Sequence, residues 1–453
     1  MPKDVELTKP GEETKRSGFY FDGIPVKGKY LSLFLLVMVA YFFEQWDNNN
    51  FGFIAASFVQ SWGVDMTVVS QITGWYFIAM MAGGLLGGVI SDLIGRRKTF
   101  LLSLVIFSAA SIVNGFTNHL GLFIIARLFT GFGVFCMMIV SITYLSEMSP
   151  AESRGKWQGL ISAIALLCLP LMAVTARLVV PISAEAYRFL FYFGGVGFLI
   201  FFIALKGLKE SPRWLVAKGR VAEAEQIIYD LTGQRIDLSD AAKKVPPKTN
   251  FAQNIAGIFS KAYLRRTIVI LIMTILVTIP MMSSVNWITL LLNQKGFTVE
   301  QSLMISALAL IGSPIGCFIC SLVSDKGGRK IPFAVFAFLY TGFQLLFAFS
   351  GTNFWYCVVL YFLANTSFPV VTYVLMSYIA ESYPTNMRNT ATGLQNGVAR
   401  LSVSLFQPLI PLIYAAWSFP GVIGSFAACS FLAGAVMLVF GWRTGGRSLE
   451  EIN

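Results

Sequence analysis

Residues 88–98 read GVISDLIGRRK, and residues 321–330 repeat the pattern as SLVSDKGGRK. A second stretch, YLSEMSPAESR at 144–154, returns as YIAESYPTNMR at 378–388. The repeats occur in the same order, and their offsets of 233 and 234 positions agree closely. Two repeats at one offset indicate that the chain is a duplicated half. Duplication in a very apolar chain is typical of carriers that expose a central site alternately to the two sides of a membrane.

The composition places the chain in a lipid bilayer. Hydrophobic residues make up 56% of the 453 residues and charged residues only 13%, whereas soluble domains carry about 25% charged residues. The net charge of +11 comes from Lys and Arg residues between apolar runs, which is typical of topology signals and not of a nucleic-acid surface. The cysteines lack metal-ligand spacing, so we expect no disulfide and no metal site. They are Cys136, Cys168, Cys317, Cys320, Cys357 and Cys429.

Twelve stretches are long and apolar enough to cross a bilayer, which takes about 20 residues in a helix. We therefore predict an all-α membrane protein with twelve transmembrane helices in two pseudo-symmetric six-helix bundles. The first six predicted spans are 30–58, 70–91, 99–116, 120–143, 157–180 and 187–206. The second six are 266–292, 301–324, 331–350, 353–378, 391–416 and 420–441.

The polar stretches divide the chain into five regions. The N-terminal region is too polar to be a signal peptide, and the linker contains an amphipathic pattern at 221–231 that predicts a short helix. Lys and Arg concentrate in the tails, the linker and the repeat loops, so both termini should be cytoplasmic. The regions are a tail (1–29), a first bundle (30–206), a linker with short helices (207–264), a second bundle (265–441) and a tail (442–453).

These motifs resemble the major facilitator superfamily of secondary transporters over essentially the whole chain. The Gly-x3-Asp-x2-Gly-Arg-Arg-Lys element is a signature of that superfamily, and RLFTGFG at 127–133 is similar to its second signature. KESPRWL at 209–215 resembles the sugar-porter signature, and the segment from Arg388 to Arg400 resembles the organic-ion and aromatic-acid:proton symporter branches. The loop at 59–69 is short and has no glycosylation sequon, which favours a bacterial member. The resemblance implies a transporter and not an enzyme.

Acidic and arginine side chains in the repeated loops predict a gate at the cytoplasmic face. Such groups can pair across helices, stabilise the outward-open state and separate when the inner gate opens. Exposed pairs contribute only about 0–1 kcal/mol each, and the alternative is a static cluster that fixes topology. The gating candidates are Asp92, Arg96, Arg97, Glu147, Arg154, Asp325, Arg329, Glu381 and Arg388.

Charged residues inside the predicted spans are expensive to bury and therefore indicate function. Glu44 and Asp47 are three positions apart, hence on one face of the first span. Arg127 lies about 10 Å from the outer end of the fourth span, at a similar depth. Burial disfavours a charged carboxylate and a nearby arginine favours it, so Asp47, with Glu44 and Arg127, is predicted to carry a coupled proton. The alternative is a permanently ionised structural pair.

Arg400 lies about 15 Å into the eleventh span, near the bilayer midplane. Its guanidinium keeps its charge and needs an anionic partner, which is either a substrate carboxylate or one of Asp47 and Glu44. Polar and aromatic residues in other spans predict a pocket for a ring-bearing polar solute. The substrate-binding candidates are Arg400, Trp46, Asn49, Asn286, Trp287, Tyr340, Gln344, Asn365, Tyr373, Gln395 and Asn396, together with Trp75.

These residues predict proton-coupled symport of a small organic anion, such as an aromatic or nicotinate-like carboxylate, by a monomer in the cell membrane. Protons or ions are the only cofactors implied, the lipid bilayer and the solute are the partners, and no nucleic acid is expected. The alternatives are a sugar facilitator, an organic-cation exporter in which Glu44 and Asp47 face the cation, and a receptor that does not transport. Arg177, near the outer end of the fifth span, is predicted to reach the lipid headgroups.

Overall fold

The computed structural model describes residues 16–17, 20–239, 251–324 and 328–442. The helices of the first half are α1 (Gly28–Trp62), α2 (Met66–Ile94), α3 (Arg96–Phe116), α4 (Leu120–Met148), α5 (Arg154–Val179), α6 (Arg188–Gly194) and α7 (Gly197–Gly207). The linker contains α8 (Pro212–Ala217), α9 (Val221–Thr232) and α10 (Phe251–Ile258). The helices of the second half are α11 (Leu264–Gln294), α12 (Val299–Leu310), α13 (Gly312–Val323), α14 (Lys330–Ala348), α15 (Phe354–Glu381), α16 (Thr385–Phe406) and α17 (Leu409–Phe440).

The helices confirm the predicted fold class, because α6 with α7 and α12 with α13 each form one broken span. Ten helical segments of the described chain are long and apolar enough to cross a membrane. The other two long helices are α1 and α16, which carry Glu44, Asp47 and Arg400. The most polar spans are therefore the ones that hold three of the four intramembrane charges singled out from the sequence.

Glycines on either side of the break between α6 and α7 allow this span to pack closely against α3. A Cβ atom on Gly194 would lie 2.5 Å from Ser111 Oγ, and one on Gly197 would lie 2.0 Å from Ser108 Oγ. Small residues allow helix backbones to approach this closely within a membrane. The broken span therefore packs directly against α3, beside the buried serine side chains of that helix.

The last two spans differ from the prediction at their shared boundary. The eleventh span was expected to run to residue 416, but α16 ends at Phe406 and α17 begins at Leu409. Pro408 separates them, because proline has no N–H to donate within a helix. α17 then kinks at Ser418, where φ is 52°, just before Pro420.

Among the described residues, the largest apolar contact between the two bundles lies towards one side of the molecule. We call the side with both ends of the described chain the terminal face and the opposite side the distal face. On the distal side, one apolar cluster joins α1 residues such as Phe51 and Ile54 to α11 residues such as Leu290 and Leu291. On the terminal side, two separate clusters each belong to one bundle. The structure is therefore closed at the distal face.

The first part of the linker, with α8 and α9, packs against the terminal end of the first bundle, whereas α10 packs against α16 of the second bundle. The amphipathic helix predicted at 221–231 is present as α9, and it buries Ala224, Ile227, Ile228 and Leu231. A short parallel pairing joins β1 (Arg16–Ser17) to β2 (Ile236–Asp237). The start of the described chain and the part of the linker that carries α8, α9 and β2 are thereby held at the same bundle.

Candidate functional site

Asp47 is fully buried on α1 and is held by two neutral donors. Its Oδ1 accepts hydrogen bonds from Asn50 Nδ2 at 2.8 Å and from Ser111 Oγ at 2.7 Å. Its Oδ2 is also buried and has no hydrogen-bond partner among the described residues. One oxygen of the carboxylate is thus fixed, and the other is available to accept a proton.

Arg127, on α4, reaches Asp47 through Asn50 and not directly. Its Nη1 donates to Asn50 Oδ1 at 3.3 Å, and its guanidinium lies 4.2 Å from the ring centroid of Tyr76. No ion pair joins Arg127 to a carboxylate within the described ranges, although the two charges interact electrostatically. The contact between Asp47 and Arg127 predicted from the sequence is therefore bridged by an amide.

Asn50, like Ser111, is a residue of this cluster that sequence reasoning missed. It lies three positions after Asp47, so both side chains share one face of α1. That spacing was a usable signal. The sequence did not single out Asn50, because Asn48, Asn49 and Asn50 are adjacent. Only the rotation of α1 about its axis determines which of the three lies on the same face as Asp47.

Glu44 is also fully buried, one turn of α1 from Asp47. Its Oε2 accepts from Gln45 Nε2 at 2.9 Å, and its Oε1 has no partner in the described chain. Glu44 is close enough to Asp47 and to Arg400 to interact electrostatically with both. Each member of the predicted acidic pair thus interacts with one of the two predicted arginines, Asp47 with Arg127 and Glu44 with Arg400.

Arg400 lies where α16 meets the first bundle. Its guanidinium is 4.5 Å from the ring centroid of Phe135 on α4, and its Nη1 lies 3.3 Å from Met282 Sδ on α11. The residue is only 7% exposed. Its Nε is buried without a hydrogen-bond partner, and it forms no ion pair with a described carboxylate. This buried cation is partnered by a ring and a sulfur atom, not by an anion.

Four of the predicted substrate-binding residues form side-chain hydrogen bonds within one bundle, although Gln344 Oε1 is buried without a partner among the described residues. Trp46 Nε1 donates to the Leu190 carbonyl at 3.1 Å, and Trp287 Nε1 donates to Gln407 Oε1 at 2.6 Å. The Tyr340 hydroxyl accepts from Gln344 Nε2 at 2.8 Å. These side chains are buried, and their contacts are those of helix packing.

The predicted asparagines are more accessible. Asn49, Asn286, Asn365 and Asn396 are each partly or largely accessible, and each donates its side-chain N–H to the carbonyl four residues earlier, at 2.8–3.0 Å. Amides anchored in this way can present an oxygen to a solute. Of the remaining candidates, Tyr373 is half-buried, Gln395 is buried and Trp75 is 54% exposed.

The repeated loops form equivalent ion pairs, one in each bundle. Arg96 Nη2 lies 2.9 Å from Glu147 Oε1, and Arg96 Nη1 lies 2.7 Å from Asp92 Oδ1. In the second half, Arg329 Nη2 lies 2.6 Å from Glu381 Oε1. Both arginine–glutamate pairs join helices of the same bundle. Asp325 lies outside the described residues.

The other gating candidates are placed differently. Arg97 Nη2 donates to the Leu205 carbonyl at 2.6 Å, which ties α3 to α7. Arg154 and Arg388 each have a buried Nε without a hydrogen-bond partner in the described part of the chain. The structure therefore does not pair these two arginines with the glutamates of their own motifs.

Glu210 completes the terminal network, and sequence reasoning assigned it no role beyond the 209–215 signature. Its Oε1 accepts from the backbone N–H groups of Arg96 at 2.8 Å, Arg97 at 3.1 Å and Ser211 at 2.9 Å. A Cβ on Gly95, where φ is 103°, would lie 2.2 Å from Glu210 Oε2. Burial raises the pKa of Glu210, and the backbone donors partly offset this. Glu210 thus anchors the repeated loop of the first half, at Arg96 and Arg97, to the linker.

An ion pair at the distal face joins the two bundles. Arg177 Nη2, on α5, lies 2.6 Å from Glu300 Oε1 at the start of α12. Arg177 therefore has a carboxylate of the other bundle as its partner, which the sequence did not indicate. Within the described ranges, no three His, Cys, Asp or Glu side chains converge as a metal site would require.

Comparisons with known proteins match this architecture. The family model of the Major Facilitator Superfamily matches residues 37–407. The inner membrane metabolite transport protein YdjE of Escherichia coli is 29% identical over 421 residues, 90% of this chain and 88% of that protein. The niacin transporter NiaP of Acinetobacter baylyi is 23% identical over 438 residues, covering 95% and 98%. The 4-hydroxybenzoate transporter PcaK of Pseudomonas aeruginosa is 22% identical over 426 residues, covering 93% and 95%.

The fold is also that of a solved transporter. The inward-open conformation of the xylose transporter XylE from E. coli superposes with a TM-score of 0.74. The match covers 93% of this chain and 98% of that one, at 17% sequence identity. This likeness concerns the fold alone.

Proposed function

Because the chain belongs to the major facilitator superfamily and is a multi-pass membrane transporter, we propose that it couples protons to the movement of a small organic anion. The anion would be an aromatic or nicotinate-like carboxylate, carried by alternating access. The observation that carries the proposal is Arg400, a buried cation between the bundles without an ion pair to any described carboxylate.

Arg400 is suited to bind a carboxylate. A guanidinium keeps its charge and presents a planar fork that matches a carboxylate in two hydrogen bonds. Its neighbour Phe135 offers an aromatic face beside the guanidinium, and aromatic rings pack favourably against one another. Two relatives are named for ring-bearing carboxylic acids, niacin and 4-hydroxybenzoate, which supports this substrate class.

Asp47 is the proposed proton carrier. Its Oδ2 is buried and unpartnered, so protonation there removes a charge without breaking the hydrogen bonds to Oδ1. Asn50 connects this event to Arg127, whose charge is then no longer balanced. Protonation of Asp47 on α1 thereby changes the charge balance around Arg127 on α4. Proton coupling requires such a link between helices.

The proposed cycle uses the two ends of the molecule as gates. With both termini in the cytoplasm, the closed distal face is the outer one and this structure faces inward. The ion pairs of Arg96 and Arg329 are formed within single bundles in this structure, so these groups would gate the terminal face by gaining contacts to the opposite bundle in the outward-facing state. The protein would act as a monomer in the inner membrane of a bacterium.

A second candidate function is the export of an organic cation. Glu44 favours it, because the buried Oε1 of this carboxylate has no partner among the described residues. In that case Glu44 would bind the cation, and Arg400 would act as an internal counter-ion.

A ligand screen by thermal shift tests the proposal. Purified protein is mixed at two pH values with nicotinate, 4-hydroxybenzoate, choline or xylose, because stabilisation grows with the logarithm of ligand concentration over Kd. We expect the carboxylates to stabilise the wild type, more strongly at low pH, and not Arg400→Ala. The control variant Arg220→Ala removes an exposed arginine of the linker and should respond like the wild type.

Stabilisation by choline that disappears in Glu44→Gln would replace the proposal with cation export. Stabilisation by xylose that survives in Arg400→Ala would replace it with sugar transport. Uptake of labelled ligand into proteoliposomes then separates a transporter from a protein that only binds.

A further inference from the structure

Two neighbouring clefts at the terminal end of the first bundle are rich in lysine. The larger, of about 990 Å³, lies between the start of α1, the end of α7 and α9. The smaller, of about 330 Å³, lies between the start of α3, the end of α7 and the linker helices. Lys206 and Lys209 line both clefts. We propose that the larger cleft binds the headgroup of an anionic phospholipid from the adjoining leaflet.

The described residues do not balance the charge of the larger cleft. Lys27, Lys29, Lys206 and Lys209 line it, against a single acidic residue, Asp230. Lys209 Nζ pairs with Asp230 Oδ2 at 3.4 Å. The other three lysines are exposed and form no ion pair within the described ranges. Their ammonium groups therefore remain available for a phosphate.

The wall of the same cleft is apolar and continues onto the lipid-facing surface. Leu36 of α1 and Ile203 of α7 line the cleft, and Ile203 is 60% exposed. Leu199 lies one turn further along α7, on the side away from the terminal face, and is 65% exposed. A free phosphate would make no use of this surface, whereas an acyl chain would bury it. The combination of lysines and an apolar wall therefore favours a lipid.

The smaller cleft extends the positive surface around α7. Arg97, Lys98 and Arg220 line it, with Glu210 and Glu223 as the acidic residues. Arg220 already pairs with Glu223, and Glu210 is engaged by backbone N–H groups. This surface attracts anionic lipid but contains fewer unpartnered cations, so the headgroup belongs in the larger cleft.

The proposed lipid site is separate from the transport site. Lys27 precedes Asp47 by twenty residues of α1, which corresponds to about 30 Å along the helix. The lipid would hold α1, α7 and α9 together at the terminal face, where α1 has to move during alternating access. The site would thus link the anionic lipid content of the leaflet to the conformation of the carrier.

Lipid retention measured by native mass spectrometry tests the proposal. The full-length protein is purified in mixed micelles of phosphatidylglycerol and phosphatidylcholine, and bound phosphatidylglycerol is counted for the wild type and for Lys29→Gln/Lys206→Gln. Each basic residue near an anionic lipid surface strengthens lipid binding. Loss of two lysines should therefore weaken phosphatidylglycerol binding roughly tenfold or more. The control Lys261→Gln/Arg265→Gln removes two exposed charges from the start of the second bundle and should retain lipid like the wild type.

Three results would overturn the proposal. They are equal retention of both lipids by the wild type, equal losses in the two double variants, and displacement of phosphatidylglycerol by millimolar inorganic phosphate or glycerol 1-phosphate. The last would make the cleft a site for soluble anions. Melting temperatures measured in phosphatidylcholine alone identify a misfolded variant. The preference of the wild type for phosphatidylglycerol over phosphatidylcholine is measured without any variant. No substrate is involved, so the result is independent of the proposed transport function.

Discussion

Asp47 and Arg127 lie on opposite sides of Asn50, whose amide donates to the carboxylate at 2.8 Å and accepts from the guanidinium at 3.3 Å. The two charges therefore interact without touching. A direct buried ion pair would hold Asp47 ionised, because losing either partner of such a pair is costly. A bridged pair holds it less firmly, which suits a carboxylate that has to gain and lose a proton in each cycle.

Replacing Asp47 by Asn should uncouple transport from the proton gradient. The amide keeps an acceptor for Ser111 and Asn50 but cannot take up a proton. We expect uptake driven by a pH gradient to fall about tenfold or more, equivalent to at least about 1.4 kcal/mol, while exchange of labelled for unlabelled substrate continues. Glu44→Gln is the matched control. Full gradient-driven uptake in Asp47→Asn, with loss in Glu44→Gln, would move the coupling role to Glu44.

Replacing Asn50 by Ala should destabilise the protein more than the same change at its neighbour Asn49. Asn50 is buried and bonds to two charged side chains, so its loss leaves buried polar groups unsatisfied, at a cost of about 1–3 kcal/mol. Asn49 is partly exposed and bonds only to its own helix. Thermal unfolding in detergent micelles measures the difference. Equal changes in melting temperature would show that the bridge contributes nothing to stability.

The sequence alone was sufficient for the architecture, because the duplicated motifs and the length of the apolar stretches constrain the whole chain. It also indicated which helices carry the unusual charges, since Glu44, Asp47 and Arg400 are rare residue types within a span. These features depend on residue type and position along the chain. Both can be obtained without knowing how any helix is rotated about its axis.

The details of the site depend on helix rotation and on contacts between helices, which one sequence does not specify. Trp46 and Asn49 are both on α1, but the indole packs into its bundle while the amide is partly exposed. The position of Arg400 over Phe135 depends on how two bundles meet. The partner of Arg177 was not predicted for the same reason, because Glu300 is 123 residues away in the chain.

The contact between Gly52 and Asn286 should control closure of the distal face. A Cβ on Gly52 would lie 2.7 Å from Asn286 Cα and 2.8 Å from the Val285 carbonyl oxygen. Neither backbone atom can move without shifting α11, so Gly52→Ala should disfavour the closed distal face by about 1–3 kcal/mol. Spin labels on the distal ends of α1 and α11 should report longer distances. Gly121→Ala, where a Cβ would meet no atom within 4 Å, is the control.

The ion pair between Arg177 and Glu300 should make a smaller contribution to the same closure. Its side chains are 34% and 52% exposed, and exposed pairs contribute about 0–1 kcal/mol. Glu300→Ala should therefore shift the ratio of the two conformations by no more than about fivefold. The exchanged pair Arg177→Glu/Glu300→Arg should restore the wild-type distances, and salt should weaken both forms of the pair. A distance distribution in Glu300→Ala that equals that of the wild type would mean that the pair contributes no net free energy to closure.

Variants of the arginine–glutamate pairs in the repeated loops can distinguish the gating hypothesis from the alternative, a static cluster that only fixes topology. Arg96 and Glu147 are 11% and 17% exposed and belong to one bundle, so a static pair should contribute only to the stability of that bundle. Glu147→Gln would then lower the melting temperature and leave the distal spin-label distances unchanged. A gating pair predicts the opposite result: because the pair would favour the state in which the terminal ends meet, Glu147→Gln should shift the distances further toward the closed distal face. Glu381→Gln, which removes the equivalent partner of Arg329, should give the same shift if the two halves gate symmetrically, and a shift in only one variant would restrict the gate to one half.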